Sequence, residues 1–134
     1  MGAEQNVETV QAIYEAFGRG DVAAILDKLT DDVDWAVEAT GAAPWNGLRR
    51  GKEEVANFFK AIVDHSEVTE FTPLAFASNE TDVMTVIRYG ARILATGKSG
   101  SMDLHHWWRF RGDKVFFVRG TEDTALVASL LSTD

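Results

Sequence analysis

Apolar residues recur at Val7, Val10, Ile13, Tyr14 and Phe17, the three- and four-residue spacing of one helix face. Gly18-Arg19-Gly20 stops the run, so the pattern predicts a helix over about Glu4 to Phe17. Asp21 is placed to cap a short second helix carrying Val22, Ile25, Leu26 and Leu29, which Thr30-Asp31-Asp32 breaks. Polarity then alternates with period two from Val33 to Glu38, the mark of a half-buried strand. A loop rich in Gly, Ala and Pro continues to Gly51, and Val55, Phe58, Phe59 and Ile62 form the inner stripe of a third helix over about Lys52 to Asp64. Beyond Thr69 strand follows strand: Phe71 to Ala77, Val83 to Ala95, Met102 to Arg111 and Val115 to Thr121. Turn residues separate them at Ser78-Asn79, Gly97-Lys98 and Gly112-Asp113, and Ala125 to Leu131 closes the chain as a short helix. Three helices ahead of an antiparallel meander predict an α+β domain over residues 1–134, with the helices laid across one face of a curved antiparallel sheet.

Composition narrows the class. A chain of 134 residues that is 46% hydrophobic can bury one proper core and has no room for a second domain. The absence of cysteine removes disulfides, thiolate nucleophiles and sulfur-based zinc sites, and it fits a reducing cytoplasm. A net charge of −8 repels phosphate backbones and anionic lipid, so neither nucleic acid nor a membrane surface is an expected partner. The N-terminus has no signal-like apolar segment and the chain has no apolar run of about 18 residues. The expected localisation is therefore cytoplasmic.

Candidate chemistry concentrates between Ser101 and Thr124, where two β-rich runs flank Gly112-Asp113 and the first holds His105, His106, Trp107 and Trp108. Strand geometry sends neighbours to opposite faces. If His106 looks inward, Leu104, Trp108 and Phe110 share its face while His105, Trp107 and Arg109 look out. A neutral imidazole in an apolar wall acts as general acid or base, because its reference pKa of about 6.5 lies near operating pH. The plainer alternative is a hydrogen-bonded pocket residue. No metal is expected, since His105 and His106 point apart, His65 stands near the end of the third helix, and no carboxylate spacing completes a ligand set. The partner strand stays open by one residue: a two-residue loop at Gly112-Asp113 and a three-residue bulged loop exchange the faces of Arg119 and Gly120.

The run Tyr14-Glu15-Ala16-Phe17-Gly18-Arg19-Gly20-Asp21, the break Thr30-Asp31-Asp32-Val33, the helix start Gly51-Lys52-Glu53 and the closing Trp108-Arg109-Phe110-Arg111-Gly112-Asp113-Lys114-Val115 resemble one known family. It is the SnoaL-like and ketosteroid-isomerase-like branch of the nuclear transport factor two superfamily, and the likeness covers roughly Val7 to Leu130. The resemblance implies a cone-shaped fold with a ligand pocket between sheet and helices, and a homodimer formed through the outer sheet face. It does not by itself fix a reaction, because isomerases, polyketide cyclases, dehydratases and epoxide hydrolases share the fold. Carried over by position, the isomerases' tyrosine falls on Ile13, one step from Tyr14, and their base falls on Val37, beside Glu38. The epoxide hydrolases' arginine falls on Arg88, but their two aspartates fall on Gly90 and Gly120. The cyclases' last-strand acid also falls on Gly120, with Glu122 and Asp123 close by, and His106 matches a position where relatives place a polar pocket residue. The resemblance favours Val118, Gly120 and Glu122 inward.

The expected catalytic set is accordingly His106 with Glu38, Glu122 or Asp123 as its partner, and no cofactor. The expected ligand is a small apolar, carbonyl-bearing molecule. Tyr14, Phe17, Trp35, Trp45, Phe58, Arg88 and Trp108 are the candidate ligand-binding residues, with Trp35 and Trp45 at the pocket mouth. Four have a structural alternative: Trp35 and Trp45 as core, Tyr14 as a helix–sheet contact bonded to backbone, and Arg88 on the outer face, since Val83, Ile87 and Ile93 make an equally apolar opposite face. The remaining alternatives are a binding module without turnover, and an association face bearing Trp107, Phe117 and Arg119.

Overall fold

A computed structural model describes residues 2–39 and 41–134. Its first helix, α1 (Ala3–Gly18), buries Val10, Ile13 and Tyr14 at the predicted spacing. Asn6 lies on the same face, only 1% exposed, and donates from Nδ2 to the carbonyls of Asn79 and Glu80, which pins the helix start to a distant turn. Asp21 caps α2 (Val22–Asp27) by accepting from the Ala24 N–H at 3.0 Å.

The helix α2 ends before Leu29, against expectation. Leu29 and the Thr30-Asp31-Asp32 segment belong to β1 (Leu29–Val37), because the chain is captured there by a distant strand: Leu29 pairs with Val115, and the Val115 N–H donates to Lys28 O at 3.0 Å. Pairing overrides local turn preference, with a register irregularity between Leu29 and Asp34 accommodating the change. A strand that the pattern did not announce follows, β2 (Gly47–Arg50), antiparallel to β1. It is a short edge strand with no apolar alternation to betray it.

Next come α3 (Gly51–His65), which buries Val55, Phe58 and Phe59, and β3 (Ser66–Ser78), which begins directly at its end. The strands β4 (Asp82–Ile93), β5 (Ser99–Arg111) and β6 (Lys114–Thr121) complete the sheet, and α4 (Thr124–Leu131) closes the chain behind its cap Asp123. The sheet order is β2-β1-β6-β5-β4-β3. From β3 to β6 the strands form the expected antiparallel meander, but β1 joins β6 in parallel, so the six-stranded sheet is mixed rather than wholly antiparallel. Bulges in β3 and between β5 and β6 bend the sheet, α1 and α3 pack over its inner face, and Pro73 stands in the edge strand β3, where a missing N–H is tolerated. The core between these layers holds Ile25, Val33, Val55, Val83, Ile87 and Val115, each essentially unexposed and each contributing roughly 1.5–3 kcal/mol by burial.

Candidate active site

The β5–β6 hairpin resolves the open register. Arg111 pairs with Lys114 across a two-residue turn, and a bulge beyond Phe110 then restores the parity of a longer loop. Trp108 consequently faces Val118, and His106 faces Gly120. These side chains look into a cavity of about 110 Å³ between the sheet and helices α1 and α3.

Its walls are apolar and rich in aromatic rings. Phe17 and Tyr14 come from α1, Trp35 from β1, Phe58 from α3, Trp108 from β5, and Trp45 from the loop before β2. Trp35 is 5% exposed and stands deep against Phe58, ring centroids 5.4 Å apart, rather than at the mouth. Trp45 is only half-buried.

Polar groups within this surface are few. The Tyr14 hydroxyl lies 2.8 Å from His106 Nδ1 and 2.7 Å from Thr85 Oγ1, and it accepts from Trp108 Nε1–H at 3.1 Å. Burial raises the Tyr14 pKa, so the phenol stays protonated. Burial also pushes the His106 pKa down to about 4, and His105 adds to the shift, so the ring is neutral at physiological pH. Elsewhere in the lining, Glu122 accepts from Trp45 Nε1–H at 2.9 Å, and burial raises its carboxyl pKa despite that bond. Tyr89 is pushed up to about 12, by burial first and then by the Glu122 charge.

Three sequence candidates fall outside. Arg88 lies on the outer face, where its Nη1 pairs with Asp103 Oδ1 at 3.2 Å across β4 and β5. Strand parity forbids it the cavity, because Val83 and Ile87 hold the inward positions. Glu38 is exposed and salt-bridged to Arg119 at 2.8 Å, on the rim of a separate, more open depression. Asp123 is exposed and accepts from the Leu126 N–H at 3.0 Å, the task of a helix cap. Thr85 and Tyr89 escaped the sequence reading, although the parity that sends Arg88 out sends both of them in. The Tyr14 hydroxyl meets side chains rather than backbone. Among the described residues no three His, Asp or Glu side chains converge as metal ligands.

The pattern that defines the SnoaL-like domain matches residues 10–118, and this chain belongs to that family. Among solved structures it is similar to a nuclear transport factor two-like protein from Burkholderia xenovorans LB400, with 25% identity, TM-score 0.88, and 98% of this chain covering 99% of that one. A second such protein, of unknown function and from Burkholderia pseudomallei K96243, shares 27% identity at TM-score 0.87 over 96% and 98% of the two chains. A proposed polyketide cyclase from Xanthomonas campestris pv. campestris shares the fold at TM-score 0.79 and 19% identity, over 97% and 98%. No curated protein sequence matches the chain. Among the described residues, no helix is long and apolar enough to cross a membrane.

Proposed function

We propose that this chain is a cofactor-free, cytoplasmic enzyme of the isomerase or cyclase type that moves a proton on a small apolar, carbonyl-bearing molecule held in the cavity. One observation carries this reading: a single apolar hollow contains two titratable side chains tuned in opposite directions, His106 kept neutral and Glu122 made more basic than an ordinary carboxylate. Burial disfavours charge on both groups, so the hollow pairs a neutral imidazole, able to donate or accept a hydrogen bond, with a carboxylate that takes up a proton more readily than an exposed one, the pairing that proton transfer beside a carbonyl needs. The aromatic walls suit a flat ligand and exclude water, which strengthens every polar interaction inside.

Exchange of the α-hydrogens of 1-indanone or 2-tetralone in deuterated water, followed by NMR, tests the proposal. The expected result is protein-dependent exchange that falls about 10²- to 10⁴-fold in Glu122→Gln. A ketone that binds without exchanging would refute turnover.

That outcome would favour a binding module without catalysis, a reading supported by Val37 and Gly120, which line the cavity without an acid group. Under it, Glu122→Gln changes affinity alone. The outer sheet face suits a homodimer: Trp107 packs on Phe117 with centroids 5.0 Å apart, and the Arg119 guanidinium lies 4.0 Å from the Phe117 ring centre. Light scattering should then report a dimer, and Trp107→Glu a monomer that still binds ligand.

A further inference from the structure

We infer that Tyr14 holds His106 in the tautomer that carries its proton on Nε2, so that the cavity offers an N–H donor and takes its ligand by a carbonyl oxygen. The inference rests on the acid–base reading above and divides the labour within it.

Four hydrogens share this cluster, one each on Trp108 Nε1, the Thr85 and Tyr14 hydroxyls, and the neutral His106 ring. Trp108 Nε1–H is a donor only, and its bond to the Tyr14 oxygen fills one acceptor position there. Thr85 is 4% exposed, and its hydroxyl has no other partner than Tyr14 among the described residues. If Thr85 donates to Tyr14 and Tyr14 donates to His106 Nδ1, the Trp108, Thr85 and Tyr14 hydrogens are all bonded and the ring hydrogen stands on Nε2, in the cavity wall. If Tyr14 instead turned its hydrogen to Thr85 and accepted from Nδ1–H, the Thr85 hydrogen would be buried without an acceptor. Each arrangement leaves one hydrogen without a protein partner, but the first leaves it on Nε2, which lines the cavity where a ligand acceptor can meet it, and the second leaves it on Thr85, which is buried and lines no cavity, so the first prevails. Nδ1 is then an acceptor, and the ring proton sits on Nε2.

Nε2 has no hydrogen-bond partner among the described residues, unlike Nδ1. It lies on the ring edge toward Gly120, 3.7 Å from where a Cβ of that residue would stand, and both residues line the cavity. A neutral imidazole N–H aimed at an apolar hollow recognises an acceptor oxygen and stabilises the negative charge that develops on it. The depressed basicity of the ring agrees with this, since a group that resists protonation is a poor general base.

Two consequences follow. The Tyr14 hydroxyl has its hydrogen and both acceptor positions in use, so it acts through His106 as a positioning residue and does not touch the ligand oxygen. Proton abstraction falls to Glu122. Its carboxylate takes a proton from carbon next to the carbonyl, the C–H electron pair becomes the enolate double bond, and the carbonyl electrons move onto the oxygen facing Nε2–H. Return of the proton from Glu122 to carbon completes the cycle.

Long-range proton–nitrogen correlation on uniformly ¹⁵N-labelled protein reads the tautomer directly. The chain has three histidines, so the spectrum of His106→Gln assigns the ring by its loss. The expected spectrum shows a protonated-type Nε2 and a pyridine-type Nδ1 at neutral pH; a proton on Nδ1, or a cationic ring, overturns the inference. In Tyr14→Phe the two nitrogen shifts should move toward each other as both tautomers become populated, and unchanged shifts would remove Tyr14 from the account. In titrations of wild-type protein, 1-indanone should bind about tenfold tighter than indane, the worth of one net hydrogen bond, and should move the Nε2 resonance. Equal affinities, or no binding of either, would overturn the carbonyl preference. A bound ketone that shifts Nε2 but never exchanges its α-hydrogens would sink the catalytic reading and leave the tautomer standing.

Discussion

Gly120 stands directly opposite His106 across β5 and β6, and the imidazole edge leans over it: a Cβ built on the glycine would meet His106 Cδ2 at 3.3 Å. The glycine is therefore the partner that leaves the ring its place in the cavity wall. The same ring is tied to Tyr14 through Nδ1, so it has little freedom to retreat.

Gly120→Val should consequently overpack this wall. The expected loss is about 1–3 kcal/mol of stability, read by urea denaturation, together with weaker binding of ketone probes as the ring is pushed off Tyr14.

The His106 shift sets a pH dependence. Its folded-state pKa, about 4, lies below the ordinary value, so between that pH and about 6.5 the unfolded chain binds more protons than the folded one. The stability it contributes is complete above about 6.5 and is lost as the pH falls through about 4. Subtracting the pH profile of His106→Gln from that of the wild type should isolate a slope across this window, amounting to about 3 kcal/mol at most. Glu122 works with the opposite sign. Its carboxyl pKa is raised, so its contribution is complete below the ordinary carboxyl pKa and is lost as the pH rises through the folded value. Glu122→Gln should therefore gain stability relative to the wild type at neutral pH while losing proton transfer, a divergence that paired thermal melts and exchange assays would reveal.

Asn6 ties α1 to the turn between β3 and β4 through Asn79 O and Glu80 O, at 3.3 and 3.0 Å. Asn6→Ala leaves those carbonyls unpaired beside a buried methyl group. A destabilisation of about 1–3 kcal/mol is expected, and hydrogen exchange should rise first in α1.

Arg88 supplies the control. Its ion pair with Asp103 is exposed on both sides. Arg88→Ala should change stability by about 0.5 kcal/mol or less and leave ketone binding and exchange as they are, measured side by side with Glu122→Gln.

The helices α1 and α3, the meander β3 to β6 and the family itself were legible in the chain, because each rests on local periodicity or on contiguous motifs such as Trp108 to Val115. Leu29 and Gly47–Arg50 were misread for a common reason. Both become strand only by pairing outside their own segment, Leu29 with β6 and Gly47–Arg50 with β1, and nothing in their own composition demands it. Among the acids, sequence distance could not separate Glu122 from Glu38 and Asp123. Which of them lines the cavity is decided by a helix cap that takes Asp123, by Arg119, which holds Glu38 outside, and by Trp45, which reaches Glu122 across 77 positions of sequence.

By itself the sequence determined which residues alternate, which faces are apolar, and that His106 and Trp108 share one of them, since the two-residue period of a strand is a local property. Only the tertiary structure decided that Tyr14, Thr85 and Trp108, from three separate elements, converge on a single hydroxyl beside that imidazole. Hydrogen-bond directionality is a relation between groups brought together by packing. The hydrogen bonding of His106 is therefore readable only where its partners stand within about 3 Å of one another.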